Sequence, residues 1–311
     1  MIGFTLMSEW THMKTLIFIL FFLPAVILPQ SAYRFYINNI NLPLNNSGVL
    51  AAVNIQDPDP NISGSGGKLD NIVFLFSGGF FMSGYDGDSL WSNGVSTASL
   101  VEDYLPGPVG SSPTDPKNRI YVVDKNDTPF GQSWQDWVDA VSIGASFYDG
   151  NNDGLYNPID LNSNGLWDSN EDKPDLLGDK SAWCVYNDGV PASQRRYNDV
   201  NPMGIEIQQT VFAYDSLNTN YPELTNTIFV RYRIKNSGTV ANVLDSIIFG
   251  IWSDNDIGDA SNDKLGSDTL LSSVFGYQTV IDFEYGNNPP AFYLTFLQCP
   301  QSYIPGETFI D

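Results

Sequence analysis

The chain has 311 residues and carries 36 acidic against 14 basic side chains, for a formal net charge of −22 at pH 7. Such acidity opposes binding to nucleic acid and to anionic membrane surfaces. The only histidine, His12, precedes the predicted mature chain, which excludes histidine-dependent catalysis and histidine-ligated metal sites there.

Residues 1–32 are predicted to be a secretory signal peptide. Lys14 precedes an apolar run from Leu16 to Leu28, and small or polar residues follow as far as Ala32. The run is shorter than the roughly twenty apolar residues that span a bilayer. We therefore expect a secreted protein that starts at Met13 and has no transmembrane segment in its mature chain.

Residues 33–147 are predicted to form an N-terminal β region. Short apolar runs alternate there with clusters of Gly, Asn, Asp and Pro. The predicted strands are 49–55, 72–76, 80–83 and 119–124. Ser133 is predicted to cap a short helix. The predicted buried face of this helix consists of Trp134, Trp137, Val138 and Val141.

Residues 148–190 are predicted to form an acidic calcium-loop segment. Two twelve-residue frames overlap at Asp160, and each has oxygen-bearing side chains at positions 1, 3, 5 and 12 and glycine at position 6. The predicted ligands are Asp149, Asn151, Asp153, the Leu155 carbonyl, Asp160, Asn162, Asn164, the Leu166 carbonyl, Asp168 and Glu171. The alternative is an Asx-rich surface loop that binds no ion.

Residues 191–311 are predicted to form a β-sandwich region. Residues 204–215 alternate, with Ile205, Ile207, Val211 and Ala213 on one face. Residues 227–235 and 244–252 are predicted to form a hairpin around a turn at 236–238, and further strands are expected at 277–283 and 290–297. The fold class is thus all-β, an antiparallel β-sandwich with an inserted calcium-binding loop segment. One or two β domains remain open, and the chain is expected to be truncated at Asp311.

A second acidic loop is a weaker candidate for a metal site. It contains Asp254, Asp256, Asp259 and Asp263 at close spacing but offers no twelve-residue frame. The alternative is a solvated, turn-rich connection between strands. Cys184 and Cys299 could form one disulfide or remain buried thiols.

The overlapping frames resemble the calcium loops of thrombospondin type 3 repeats and dockerins. The immediate tandem is closer to the thrombospondin arrangement, although this chain has Asn at three early positions and lacks the cysteines of those repeats. The runs LWSNGVSTASLVEDYLPG, NRIYVVDKNDTPFGQSWQDW and WCVYNDGVP also resemble exported proteins of bacteria with type IX secretion. That resemblance implies attachment to the cell surface through a C-terminal sorting domain.

Three functions follow as expectations. The first is a secreted or cell-surface calcium-binding protein with a structural or adhesive role, whose partner is a surface polysaccharide or protein. The second is a calcium-dependent carbohydrate-binding module that stacks sugars on Trp91, Trp167 or Tyr85. The third is a glycoside hydrolase that uses two of Glu206, Glu223 and Glu284.

Overall fold

A computed structural model describes residues 31–60, 62–94, 103–196, 200–217 and 222–298. Over these ranges the chain forms several antiparallel sheets and a single α-helix, which confirms the all-β fold class. Residues 1–30 of the predicted signal peptide, and the chain from residue 299 onwards, lie outside the described residues.

The described elements are short strands joined by turns and three 3₁₀ segments. In chain order the strands are β1 (Ala32–Tyr36), β2 (Ile40–Asn45), β3 (Gly67–Leu69), β4 (Ile72–Leu75), β5 (Ser77–Asp86), β6 (Ser89–Gly94), β7 (Leu105–Pro106), β8 (Tyr121–Asp124), β9 (Phe147–Tyr148), β10 (Lys173–Pro174), β11 (Lys180–Asn187), β12 (Ile205–Ala213), β13 (Phe229–Asn236), β14 (Asp245–Asp254), β15 (Lys264–Asp268), β16 (Ser273–Tyr277) and β17 (Phe292–Thr295). The helix α1 spans Gln132–Ser142, and the 3₁₀ segments span Ala192–Gln194, Pro222–Asn226 and Ala260–Asn262.

A sandwich-like pair of sheets surrounds the main hydrophobic core. One sheet has the order β13-β12-β11-β7, with β8 also paired to β11, and the strands β14-β5-β6 form a second sheet. The Phe80 ring of β5 and the Tyr232 ring of β13 lie 4.9 Å apart between their centroids. The strands β1 to β4 contribute Phe35, Leu42 and Phe74 to the same core.

Both faces of β11 are buried, because one core lies on each side of its sheet. Side chains alternate between the two faces along a strand. Ala182, Cys184 and Tyr186 face the sandwich core, whereas Trp183 and Val185 face a second core. The helix α1 covers this second core with Trp137 and Ala140. In β12, the predicted apolar face is confirmed: Ile205, Ile207, Val211 and Ala213 all belong to the sandwich core.

The predicted hairpin of residues 227–235 and 244–252 is wrong. β14 pairs with β5, so that Trp252 lies opposite Gly79 and Ile251 opposite Phe80. The connection 237–244 is long enough to carry the chain from one sheet to the facing sheet, about 10 Å away. Gly250 favours this partner, because any Cβ there would overlap the Phe81 ring.

Four local predictions also differ from the structure. Residues 49–55 form only isolated bridges at Leu50 and Ile55, because the left-handed backbone of Ala51 (φ 67°) interrupts the run. The strand predicted at 277–283 lies earlier, at β16, since residues 282–286 form a turn. The helix begins after Gly131 rather than at Ser133, and the predicted core residue Val138 is 41% exposed.

The sandwich core includes residues from all three predicted ranges of the mature chain. Phe35 comes from residues 33–147, Tyr186 from 148–190 and Ile205 from 191–311. Of the acidic range, only the part before β10 projects from this core as a loop, because β11 is an inner strand of the sheet.

Candidate metal centre

Residues 149–172 form a loop segment that projects from the protein body between the paired strands β9 and β10. β9 pairs with β10, so Tyr148 lies opposite Lys173 at its base. The Tyr148 and Trp167 rings meet edge to face with centroids 5.6 Å apart, and the Lys173 ammonium lies 3.8 Å from the Trp167 ring centroid. These contacts fix both ends of residues 149–172.

The first loop gathers its predicted side chains around backbone N–H groups. The Asp149 carboxylate accepts hydrogen bonds from the N–H groups of Asp153 (3.2 Å) and Gly154 (2.9 Å). The Asn151 Oδ1 accepts from the Asp153 N–H at 2.9 Å, and the Asp153 carboxylate accepts from the Leu155 N–H at 2.8 Å. The oxygens of positions 1, 3 and 5 are therefore drawn to one side of the loop.

The second loop repeats these bonds eleven residues later. The Asp160 carboxylate accepts from the N–H groups of Asn164 (3.2 Å) and Gly165 (2.7 Å). The Asn162 Oδ1 accepts from the Asn164 N–H at 3.0 Å, and the Asn164 Oδ1 accepts from the Leu166 N–H at 2.6 Å. The two frames thus share a local geometry as well as a sequence pattern.

Left-handed backbone at matched positions produces this turn in both loops. Asn152 and Ser163 have φ of 59° and 60°. Two residues further on in each loop, Gly154 and Gly165 have φ of 77° and 76°. Glycine adopts this conformation without steric cost. Both position-6 glycines therefore lie in left-handed backbone at the turn of their loops.

Two adjacent buried carboxylates, near the C-terminal end of residues 149–172, accept hydrogen bonds from the backbone of the two loops. The Glu171 carboxylate accepts from the N–H groups of Leu161 (2.7 Å) and Asp168 (2.8 Å). The Asp172 carboxylate accepts from the N–H groups of Gly150 (3.0 Å) and Asn157 (2.8 Å). Sequence reasoning selected Glu171 and passed over Asp172, although both side chains are almost fully buried.

The remaining predicted ligands lie at the surface of the loops. The Asp168 Oδ2 accepts from the Nδ2 groups of Asn162 (2.7 Å) and Asn164 (3.0 Å). Leu155 and Leu166 expose about two thirds of their side chains, at 68% and 66%. Exposure of both leucines fits a position that is used for its backbone carbonyl rather than for packing.

The loop geometry favours the ionised form of the Asp160 carboxylate. The hydrogen bond from the Gly165 N–H lowers the pKa of Asp160, and burial opposes this shift without cancelling it. A carboxylate that accepts backbone N–H bonds is stabilised in its charged form. That form is the one that can ligate a cation.

The donor set fits a hard cation such as calcium. Carboxylate, amide and backbone oxygens are the ligands that calcium prefers, and six to eight of them are needed. Within the described ranges, no three His, Cys, Asp or Glu side chains form a group that could hold a metal ion. An ion in either loop would therefore depend on Asn side chains and backbone carbonyls for part of its shell.

The second acidic loop is organised as a series of turns. Asp259 accepts from the Ser261 N–H at 3.1 Å at the start of a 3₁₀ segment, and Asp263 accepts from the Ile257 N–H at 3.0 Å. Burial raises the pKa of Asp256, and the charges of Asp254 and Asp263 raise it further. No N–H bond to the Asp254 or Asp256 carboxylate is seen among the described contacts, so the loop bonds of residues 149–172 are not repeated here.

The carbohydrate and hydrolase candidates lie in different surroundings. Trp91 is 2% exposed in the sandwich core, where a sugar cannot reach it, so the carbohydrate prediction depends on Tyr85 and Trp167. Glu206 is buried in β12, with Lys235 at 3.7 Å, and Glu223 lies in a 3₁₀ segment. Glu284 belongs to the turn after Asp282.

Cys184 is buried in the sandwich core, and this burial raises its pKa to about 12. Cys299 lies outside the described residues, so their pairing stays a prediction. Across the described part of the chain, every helix is too short or too polar to cross a membrane. No family model, curated protein or solved structure matches this chain.

Proposed function

We propose that this is a secreted or cell-surface calcium-binding protein, in which calcium stiffens the loops of residues 149–172 at the side of a β-sandwich. The single observation that carries the proposal is the repeat of one set of hydrogen bonds in both loops. Two unrelated Asx turns would not be expected to have hydrogen-bond donors, hydrogen-bond acceptors and left-handed residues at equivalent positions of the loop.

Charge supports a cation in this segment. Six carboxylates fall within residues 149–172, while Lys173 is the only basic residue adjoining it; the six are Asp149, Asp153, Asp160, Asp168, Glu171 and Asp172. Acidic side chains at this density repel one another and favour disorder. Calcium would neutralise them, and its binding free energy would then contribute to the order of the segment.

Contacts between the segment and the body explain how stiffening would reach the sheet. The Tyr156 hydroxyl donates to the Trp134 carbonyl at 3.1 Å, and the Gln135 Nε2 donates to the Pro158 carbonyl at 3.0 Å. Tyr156 also packs against the core beneath α1. An ordered segment would thereby hold the helix against the sheet, which suits a structural or adhesive role outside the cell.

Calcium titration of the chelator-treated protein tests the proposal. We expect saturable binding of two ions by isothermal titration calorimetry and a higher melting temperature at saturation. Amide exchange in residues 149–172 should slow when calcium is added. The absence of binding at millimolar calcium, with unchanged exchange in this segment, would overturn the proposal.

A further inference from the structure

Asn41 of β2 and Lys68 of β3 lie directly opposite each other in the sheet of β1 to β4. We propose that these two side chains condense into an intramolecular isopeptide bond, with release of ammonia, and so join the two strands covalently. The bond involves none of the residues 149–172 and needs no calcium. It is therefore independent of the proposed calcium function.

The sheet places the two side chains on its outer face. Phe35 and Leu42 belong to the sandwich core, so their neighbours Arg34 and Asn41 lie on the opposite face of β1 and β2. Residues opposite each other in an antiparallel pair have Cβ atoms about 4.5–5.5 Å apart. The long Lys68 side chain can therefore reach the Asn41 amide across this distance.

The connection between β2 and β3 covers this part of the outer face. The Lys68 ammonium donates to the Ser63 carbonyl at 2.6 Å. The Arg34 Nη2 donates to the carbonyls of Ile55 at 2.9 Å and Gly64 at 2.7 Å. Although they lie on the outer face, Asn41 is only 2% exposed and Lys68 only 8%. Both reacting groups are thereby withdrawn from water.

The Asn41 amide is arranged for attack at its carbonyl carbon. The Arg34 Nη1 donates to the Asn41 Oδ1 at 2.9 Å. This guanidinium would stabilise the negative charge that develops on the oxygen as a nucleophile adds. The Asn41 Nδ2 is buried and meets no hydrogen-bond acceptor among the described residues, which is costly for a buried donor. Its departure as ammonia would remove that cost.

The Lys68 amine is shifted towards its reactive form. Burial lowers the pKa of Lys68, and the positive charge of Arg34 lowers it further. The nucleophile is the neutral amine, and a lowered pKa increases the fraction of Lys68 in that form near neutral pH. One guanidinium thus acts on both partners, because it polarises the amide and also disfavours the charged amine.

The reaction exchanges one amide for another. The Lys68 Nζ lone pair adds to the Asn41 Cγ, and the bond between Cγ and Nδ2 then breaks. Of the two hydrogens on the neutral amine, one stays on the new amide and the other passes to the leaving nitrogen, which departs as ammonia. No oxidant, reductant or co-reactant enters the balance.

Mass spectrometry of the folded whole chain tests the proposal. After reduction of any disulfide, the wild-type protein should be one ammonia lighter than its sequence requires. Trypsin should not cut after Lys68, since the modified amine no longer carries a charge. Residues 35–117 should then remain one peptide instead of separating into 35–68 and 69–117, because no other Lys or Arg lies between 35 and 116.

Three variants locate the bond. Lys68→Arg and Asn41→Ala should each have the full mass that their sequences require, and both should be cut after residue 68. Lys117→Arg changes a half-exposed lysine that pairs with Asp139 at 3.1 Å, so this control should keep the deficit of one ammonia.

The wild-type protein decides the question even if a variant does not fold. Full mass together with cleavage after Lys68 in the folded wild-type chain would overturn the proposal. A missing ammonia in a peptide that is still cut after Lys68 would also overturn it, because this result indicates cyclisation of an asparagine. Neither result bears on calcium binding, which the titration measures separately.

Discussion

Gly150 lies where the first loop meets the segment that closes it. A methyl group at this position would overlap the Glu171 backbone, which cannot move as a flexible side chain can. We expect Gly150→Ala to lower the free energy of unfolding by about 1–3 kcal/mol, as overpacking does elsewhere. It should also weaken calcium binding in the first loop. Urea unfolding and calcium titration measure the two effects.

Gly154→Ala is the matched control within the same loop. Nothing lies within 4 Å of a Cβ at Gly154, so this change strains only a left-handed backbone position. Its cost should be about 1 kcal/mol. A loss in Gly150→Ala no larger than that in Gly154→Ala would contradict the view that the close approach to Glu171 explains the glycine at position 150.

Spacing along the chain revealed the oxygens of positions 1, 3 and 5, because their hydrogen bonds join residues two to five apart. The contact of Asp172 with Gly150 joins residues 22 apart. Nothing in a local frame indicates which of several following carboxylates folds back to it. The twelve-residue pattern therefore identified the loops and one of the two buried carboxylates that hold them.

At the scale of single elements, helix α1 depends on one aromatic anchor. Trp137 is 1% exposed, packs against Tyr121 and Trp183, and donates from its Nε1 to the Ser146 carbonyl at 2.9 Å. We expect Trp137→Ala to cost about 3–5 kcal/mol, as do other large-to-small changes in cores. Chemical denaturation measures this loss.

Val138→Ala on the same helix is the control, since Val138 is 41% exposed. It should change the free energy of unfolding by less than about 0.5 kcal/mol. A small effect of Trp137→Ala would contradict the view that α1 is held by this contact. The sequence predicted Trp137 in the buried face correctly, but the helical period alone could not show that Val138 is exposed.

Strand partners were less predictable than strands. The alternation of β12 is local and was read correctly, and β13 and β14 were predicted as strands, whereas the pairing of β14 with β5 depends on a sheet formed far earlier in the chain. Antiparallel strands that follow one another often pair. Here the long connection after β13 allowed the chain to leave its sheet.

At the scale of the whole molecule, one buried arginine joins three stretches of chain. The Arg195 side chain lies 3.9 Å from the Asp103 carboxylate and 3.8 Å from that of Asp188, and it donates to the Val200 and Asn201 carbonyls. We expect Arg195→Met to cost about 3–5 kcal/mol, because two buried carboxylates lose their counter-charge. Urea unfolding at pH 7 measures the loss.

The pH dependence of this variant provides the check. Burial raises the pKa of Asp103, and Arg195 opposes that rise. Without Arg195 the pKa of Asp103 in the folded state lies further above its value in the unfolded state. The variant therefore gains stability as the pH falls from the folded-state pKa of Asp103 towards the unfolded-state value. The deficit should therefore be smaller at pH 5 than at pH 7. An equal deficit at both values would show that lost packing, and not charge, dominates.

The pairing of β5 with β14 also governs the order in which this protein can fold. β5 is complete at Asp86, but its partner is made only between Asp245 and Asp254. Until that strand arrives, one edge of β5 presents free N–H and C=O groups, which can template association with other chains. Contacts this distant in sequence form slowly. Any fragment that ends before Asp245 would keep that edge open and should aggregate, so the sandwich has to be produced and handled as one uninterrupted chain.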